Sequence, residues 1–180
     1  LVTALFCLLG NGGLFAQTED GPVLQNSTTE SSILGNGAGT LLIPSNTWVE
    51  GQSYTLLATG TITAVLNDQI SFTLKSSSAD FVAPGAMTMF QITPANFWRL
   101  EMIMTCRSIG GVGVAELEAS GTFQCKVDTG AQYKTYPIEF NNSTTFDTTI
   151  DNTLDLTGEW SVANANNRLT TRTVNFKRTF

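Results

Sequence analysis

Residues 144–180 read TTFDTTIDNTLDLTGEWSVANANNRLTTRTVNFKRTF, and this closing stretch decides the fold class. Three runs rich in Thr, Leu, Val and aromatic residues (Thr144–Ile150, Thr153–Val162 and Leu169–Phe180) have β character. They are separated by Asp151-Asn152 and by Asn164-Ala165-Asn166-Asn167, which are turn chemistry. No apolar stripe of helical period lies between them. The segment therefore closes an all-β domain.

Upstream, the same alternation is stronger. Trp98, Leu100, Met102, Met104 and Cys106 share one face of a strand, with Arg99, Glu101, Thr105 and Arg107 opposite. Its partner alternates Ala115, Leu117, Ala119, Gly121, Phe123, Cys125 and Val127 against Glu116, Glu118, Ser120, Thr122, Gln124 and Lys126. Period two over this length identifies half-buried antiparallel strands. Ser53–Val65 and Ile70–Leu74 alternate likewise about Asn67-Asp68, a second hairpin. Residues 76–85 and 128–142 read as loops. The strands add up to an antiparallel β-sandwich with Greek-key crossings, a jelly roll of about eight strands. An immunoglobulin-type sandwich fits less well, because Trp98 precedes both Cys106 and Cys125. The expected core is Leu56, Ile62, Phe72, Leu74, Trp98, Leu100, Met102, Leu117, Phe123, Leu154, Leu156, Trp160, Val174 and Phe176.

Residues 17–32 carry Gly-Pro, Ser and Thr with little apolar content and read as a linker or extended arm. Residues 1–34 are thus expected to form an N-terminal arm and 35–180 the sandwich. The arm begins with the apolar run LVTALFCLL, far shorter than the ~20 residues that span a bilayer. Leu5, Phe6, Leu8, Leu9 and Phe15 are the residues expected to bury surface against other copies of the chain.

Composition narrows the function. Charged residues make up only 13% of the chain, and the net charge is −6. The nine Lys and Arg residues are scattered. The one local group is Arg168, Arg172, Lys177 and Arg178. A protein that wraps nucleic acid needs a dense basic surface to displace counterions, so no nucleic-acid partner is expected. The absence of histidine removes the commonest general base and metal ligand. Paired carboxylates remain for catalysis: Asp147, Asp151 and Asp155, or Glu116 and Glu118. Solvated turn and strand carboxylates explain them more simply, and no catalytic residue is expected. Oxygen donors such as Asp147, Asp151 and Asp128 suit calcium better than zinc, but no EF-hand spacing is present. No metal or cofactor is expected.

The three cysteines cannot all pair within one chain. A turn centred near Gly111 sets Cys106 opposite about Glu116 and Cys125 opposite about Phe97. The sulfurs then stand ~30 Å apart along the ribbon, beyond disulfide reach. Both are expected to be buried free thiols.

The closing stretch resembles the C-terminal end of jelly-roll proteins of virions of large marine DNA viruses. There TTFDTT, an Asn-Thr-Leu-Asp step, a Trp and a final strand recur together. LGNGAGTLLIPSNTWVEGQSYTLLATGTI (Leu34–Ile62) resembles the Gly-rich loop and opening strands of the same family. The resemblance implies a non-enzymatic structural protein at the virion surface, a capsid-associated spike or fibre component or a capsid subunit. It also implies a homotrimer, as in tumour-necrosis-factor-like jelly rolls. Two alternatives come from other classes. One is a lectin-like domain that binds a carbohydrate or receptor, with Trp48 and Tyr133 as its ligand surface. The other is an extracellular filament subunit assembled by strand donation.

Overall fold

The computed structural model of the chain describes residues 15–16, 20–34, 41–82, 85–127, 132–140 and 144–179. These residues form strands, turns and bends without a helix. The strands are β1 (Phe15–Ala16), β2 (Val23–Gln25), β3 (Ser31–Ser32), β4 (Leu41–Ile43), β5 (Ser53–Ala64), β6 (Gln69–Lys75) and β7 (Asp80–Val82). They continue with β8 (Met87–Thr88), β9 (Ile92–Ser108), β10 (Glu116–Lys126), β11 (Tyr133–Phe140), β12 (Asn152–Trp160) and β13 (Arg168–Arg178).

Two antiparallel sheets enclose one core in a β-sandwich-like arrangement. The first runs β1-β13-β5-β9-β10-β11, with β2 also on β13. The second runs β3-β12-β6-β7, with β4 also on β12 and β8 on β6. The strands outnumber those expected because two N-terminal strands are each interrupted and because β7 and β11 form in stretches expected to be loops. β1 and β2 share the edge of β13, and β3 and β4 share the edge of β12.

Alternation places the core as the sequence implies, and each of the fourteen core residues named above is buried. Phe123 bridges the two sheets, with ring centres 5.2 Å from Phe72 and 5.8 Å from Trp98. Tyr54 stacks on Phe176 at 5.2 Å.

The hairpin expected about Asn67-Asp68 does not form: β5 pairs with β13 and β9 in the first sheet and β6 with β12, β7 and β8 in the second. The turn therefore carries the chain from one sheet to the other, and Asp80–Val82, inside the loop expected at 76–85, is strand β7. Four further expectations change. The stretch 20–34 does not stand off as a linker: β2 and β3 pair with β13 and β12, and Leu24, Ile33 and Leu34 enter the core. Few apolar residues suffice there because main-chain hydrogen bonds, such as Ile33 N to Leu156 O at 2.9 Å, hold the chain. Residues 144–151 form turns instead of a strand. The Asp147 carboxylate accepts from Thr149 N at 2.8 Å, closing a local turn, while Phe146 inserts into the core. Within the stretch read as a loop at 128–142, Tyr133–Phe140 is strand β11. Its Pro137 is tolerated because β11 is an edge strand that needs no donor on its outer side.

The fourth change is register. Cys106 faces Leu117 and Cys125 faces Trp98. Residues directly opposite share a face, so a one-residue slip would set apolar Cys106 against Glu116. A bulge at Glu116/Leu117 absorbs the mismatch, and Gly113 takes a left-handed φ of +82° in the turn. The cysteines remain far apart, ~26 Å along β10 between Leu117 and Cys125. Cys106 and Cys125 are buried free thiols.

Candidate functional site

Strand β13 begins after the turn at 161–167, and buried Asn167 fixes that start. Its amide donates to Asp68 Oδ2 at 2.8 Å, and its Oδ1 accepts from Val65 N at 2.9 Å. From there Arg168 pairs with Thr63 of β5 and Thr170 with Thr61. A bulge between Thr171 and Thr173 follows, beside Arg172. Gly21 N donates to Thr171 O at 2.7 Å, which brings Asp20 alongside. The result is a cleft of about 360 Å³ lined by Arg168, Arg172, Thr61, Thr63, Thr170 and Asp20.

The electrostatics of the cleft are unusual for this chain. Lys75, Arg99 and Arg107 are held in ion pairs, and Lys134 lies over the Phe90 ring. Arg168 and Arg172 are exposed and have no ion-pair partner among the described residues. Thr63 donates its hydroxyl proton to Asn166 O at 2.7 Å, so its oxygen faces the cleft only as an acceptor. The cleft therefore offers two guanidinium forks, one carboxylate and threonine oxygens on two central strands.

Among the described residues, which exclude Asp128, the carboxylates singled out in the sequence do not converge. Asp147 accepts from its neighbour Thr149, Asp151 accepts from Ser45 N at 2.8 Å, and Asp155 accepts from Ser32 Oγ at 2.7 Å. Glu118 pairs with Arg107 at 3.5 Å on an exposed face. Among the described residues no group of three or more Cys, Asp or Glu side chains is placed to hold a metal ion.

The second sheet carries a small charged network outside the core. Lys75 Nζ lies 3.1 Å from Glu30 and 3.4 Å from Asp80, and Thr157 Oγ1 donates to Glu30. Burial tends to raise the Glu30 carboxyl, but the hydrogen bonds from Thr157 and Lys75 outweigh it and leave it below the ordinary carboxylate value. Burial pushes Asp155 up, partly offset by the Ser32 hydroxyl. The network ties the 20–34 stretch to β6 and β12.

Trp48, expected at a ligand surface, is buried. It is only 3% exposed and sets its ring edge-on to Tyr54 and Phe146, with ring centres 5.4 and 5.5 Å away. The loop that carries it folds over the end of the sandwich, where Gly51 N donates to Cys106 O and Asn46 N to Thr148 O. It therefore offers no ligand surface. Tyr133, at the start of edge strand β11, is 58% exposed and remains open to a partner. Leu5, Phe6, Leu8 and Leu9 lie outside the described residues. Phe15 contributes main chain opposite Phe176 at the rim of the first sheet.

The sequence marked Arg168 and Arg172, with Lys177 and Arg178, as a local basic group but did not reveal the companions of the first two in the cleft. Thr61 and Thr63 lie about a hundred residues upstream, and only the β5–β13 pairing brings them near. The spacing of four along the last strand was the one available signal.

No helix among the described residues is long and apolar enough to cross a membrane. No protein-family model, no curated protein and no solved structure matches the chain.

Proposed function

We propose that this chain is a non-enzymatic structural virion protein, a capsid-associated spike or fibre component or a capsid subunit, built as a jelly roll that assembles with copies of itself. The observation that carries the reading is nested pairing. β2 pairs with β13, β4 with β12, β5 with β9, and β6 with β7. The first strand meets the last, the second meets the last but one, and so on inward. Successive pairs fall alternately in the first and second sheet. A long antiparallel ribbon wrapped around a core produces this order, which is the jelly-roll path. In this reading the β10–β11 hairpin is an insertion between the innermost pairs and the return strands, and it widens the first sheet.

Two further observations favour self-association. The middle of the first sheet's outer face, on β9, carries no net charge: Arg99 and Glu101 neutralise each other at 2.6 Å, and Phe97 and Ile103 stand exposed beside threonines of β5. Interface cores are depleted in charge in this way. The apolar residues Leu5, Phe6, Leu8 and Leu9 precede β1, which lies at the rim of the same sheet. We assign them, with Phe15, to contacts between copies in a homotrimer at the virion surface.

The test is recovery of the chain from purified particles in fixed stoichiometry with the major capsid protein. Its absence from intact particles would overturn the reading. Deleting residues 1–16 is expected to leave the β-sandwich folded by circular dichroism and to reduce assembly by light scattering. Undiminished assembly would remove the arm from the interface.

A further inference from the structure

We infer that the cleft between β5 and β13 is a binding site for an acidic saccharide, a sugar ring that carries a carboxylate or a sulfate. The inference does not depend on the virion reading. It starts from the two exposed arginines, Arg168 and Arg172, which line the same cleft and have no ion-pair partner among the described residues. A guanidinium presents a planar fork of donors that matches an oxyanion in two-point contact.

The remaining lining matches the rest of such a ligand. Asp20 supplies an acceptor for ring hydroxyls, Thr61 and Thr170 supply short hydroxyls that both donate and accept, and Thr63, whose proton goes to Asn166 O, adds an acceptor. At about 360 Å³ the space lies at the small end of ligand sites, suited to one sugar unit and part of a second. Thr61, Thr63, Thr170 and Arg168 stand on the paired register of β5 and β13, held by main-chain hydrogen bonds, and Arg172 stands at the bulge that follows.

Charge decides the ligand class. The chain as a whole carries −6, which repels long polyanions such as nucleic acid. Two arginines against one aspartate leave the cleft locally positive, enough for one or two oxyanions on a short ligand. A neutral sugar would leave both guanidinium groups without a partner.

The experiment titrates the full chain by NMR or calorimetry with sialyllactose, glucuronic acid and a sulfated disaccharide, with lactose as the neutral probe. Saturable binding of at least one acidic sugar, with none of lactose at the same concentration, is expected. Which of the three binds tells carboxylate from sulfate. Arg168→Gln and Arg172→Gln should each weaken binding roughly tenfold, and the double variant should abolish it. Lys126→Gln, on β10, should bind as the parent does. Arg168→Lys and Arg172→Lys keep the charge and lose the fork, so intermediate affinity is expected, and these variants preserve the test if the double variant melts early. Binding of lactose equal to that of the acidic sugars, retained affinity in the double variant, or no acidic sugar bound at concentrations well above millimolar would each overturn the inference.

Discussion

The Trp98 indole nitrogen donates to the Thr170 carbonyl oxygen at 3.2 Å, and Gly60 is the residue that makes room for the contact. A Cβ built on Gly60 would sit 1.9 Å from Thr170 O and 2.8 Å from Trp98 Nε1. The missing side chain lets a buried tryptophan satisfy its one polar atom on the main chain of β13. Gly60→Ala must push β13 or Trp98 aside, with an expected loss of about 1–3 kcal/mol or more. Trp98→Phe keeps most of the ring and removes the donor, and should cost less. Urea unfolding of both variants checks this order; an unchanged midpoint for Gly60→Ala would sink the argument.

Trp48 closes the end of the sandwich against Tyr54 and Phe146. Trp48→Ala should therefore behave as a core deletion and lower stability by about 3–5 kcal/mol. A ligand-contacting surface residue would leave the melting temperature nearly unchanged. Thermal unfolding separates the two.

Cys106 and Cys125 are buried, and burial pushes each thiol from its ordinary 9.0 up to about 11. Since the thiolate is the reactive form, neither should react with a thiol reagent at pH 8 in the folded chain, and both should after unfolding. Mass-mapped labelling assigns the sites independently of Cys7. The same shift has a stability consequence. A raised acid holds its proton in the folded state, so its contribution is intact below pH 9 and falls as pH climbs towards 11. The unfolding midpoint should drop across that window, and by less in a Cys106→Ala, Cys125→Ala double variant.

Asp155 and Glu30 should respond to pH in opposite senses. Burial raises Asp155 above its ordinary 3.8, so its carboxylate opposes folding once pH passes through the folded value. Asp155→Asn removes the charge and keeps an oxygen for Ser32. It should equal or exceed the parent in stability at pH 7 and lose that advantage at pH 3. Glu30 is held below its ordinary 4.5, so its contribution is present above that value and disappears as pH falls through the folded one. Glu30→Gln should accordingly weaken the fold at pH 7 by at most about 1 kcal/mol, given its partial exposure. Unfolding curves for the two variants at both pH values decide the signs.

Alternation along β5, β6, β9, β10, β12 and β13 was enough to determine which residues face inward, because burial of one sheet face imposes a period of two whatever the partner strands are. Trp98 and Phe123 could be assigned to the core without a structure for that reason. The all-β class followed from the same pattern and from the turn residues between the runs. What lay beyond reach were relations between residues distant in sequence. The 20–34 stretch looks like a linker because main-chain bonds to β12 and β13, invisible in composition, hold it. Trp48 looks like a loop aromatic until Phe146 and Tyr54 are folded against it. The hairpin partner of Cys106 moved by one residue because a bulge, whose position no local signal marks, keeps apolar side chains together. Arg168 and Arg172 were legible only as members of a basic group with Lys177 and Arg178, and their cleft exists only because β13 lies beside Thr61 and Thr63 of β5. Local periodicity determined the faces; pairing across the sheet, which depends on the whole chain closing around one core, decided the sites.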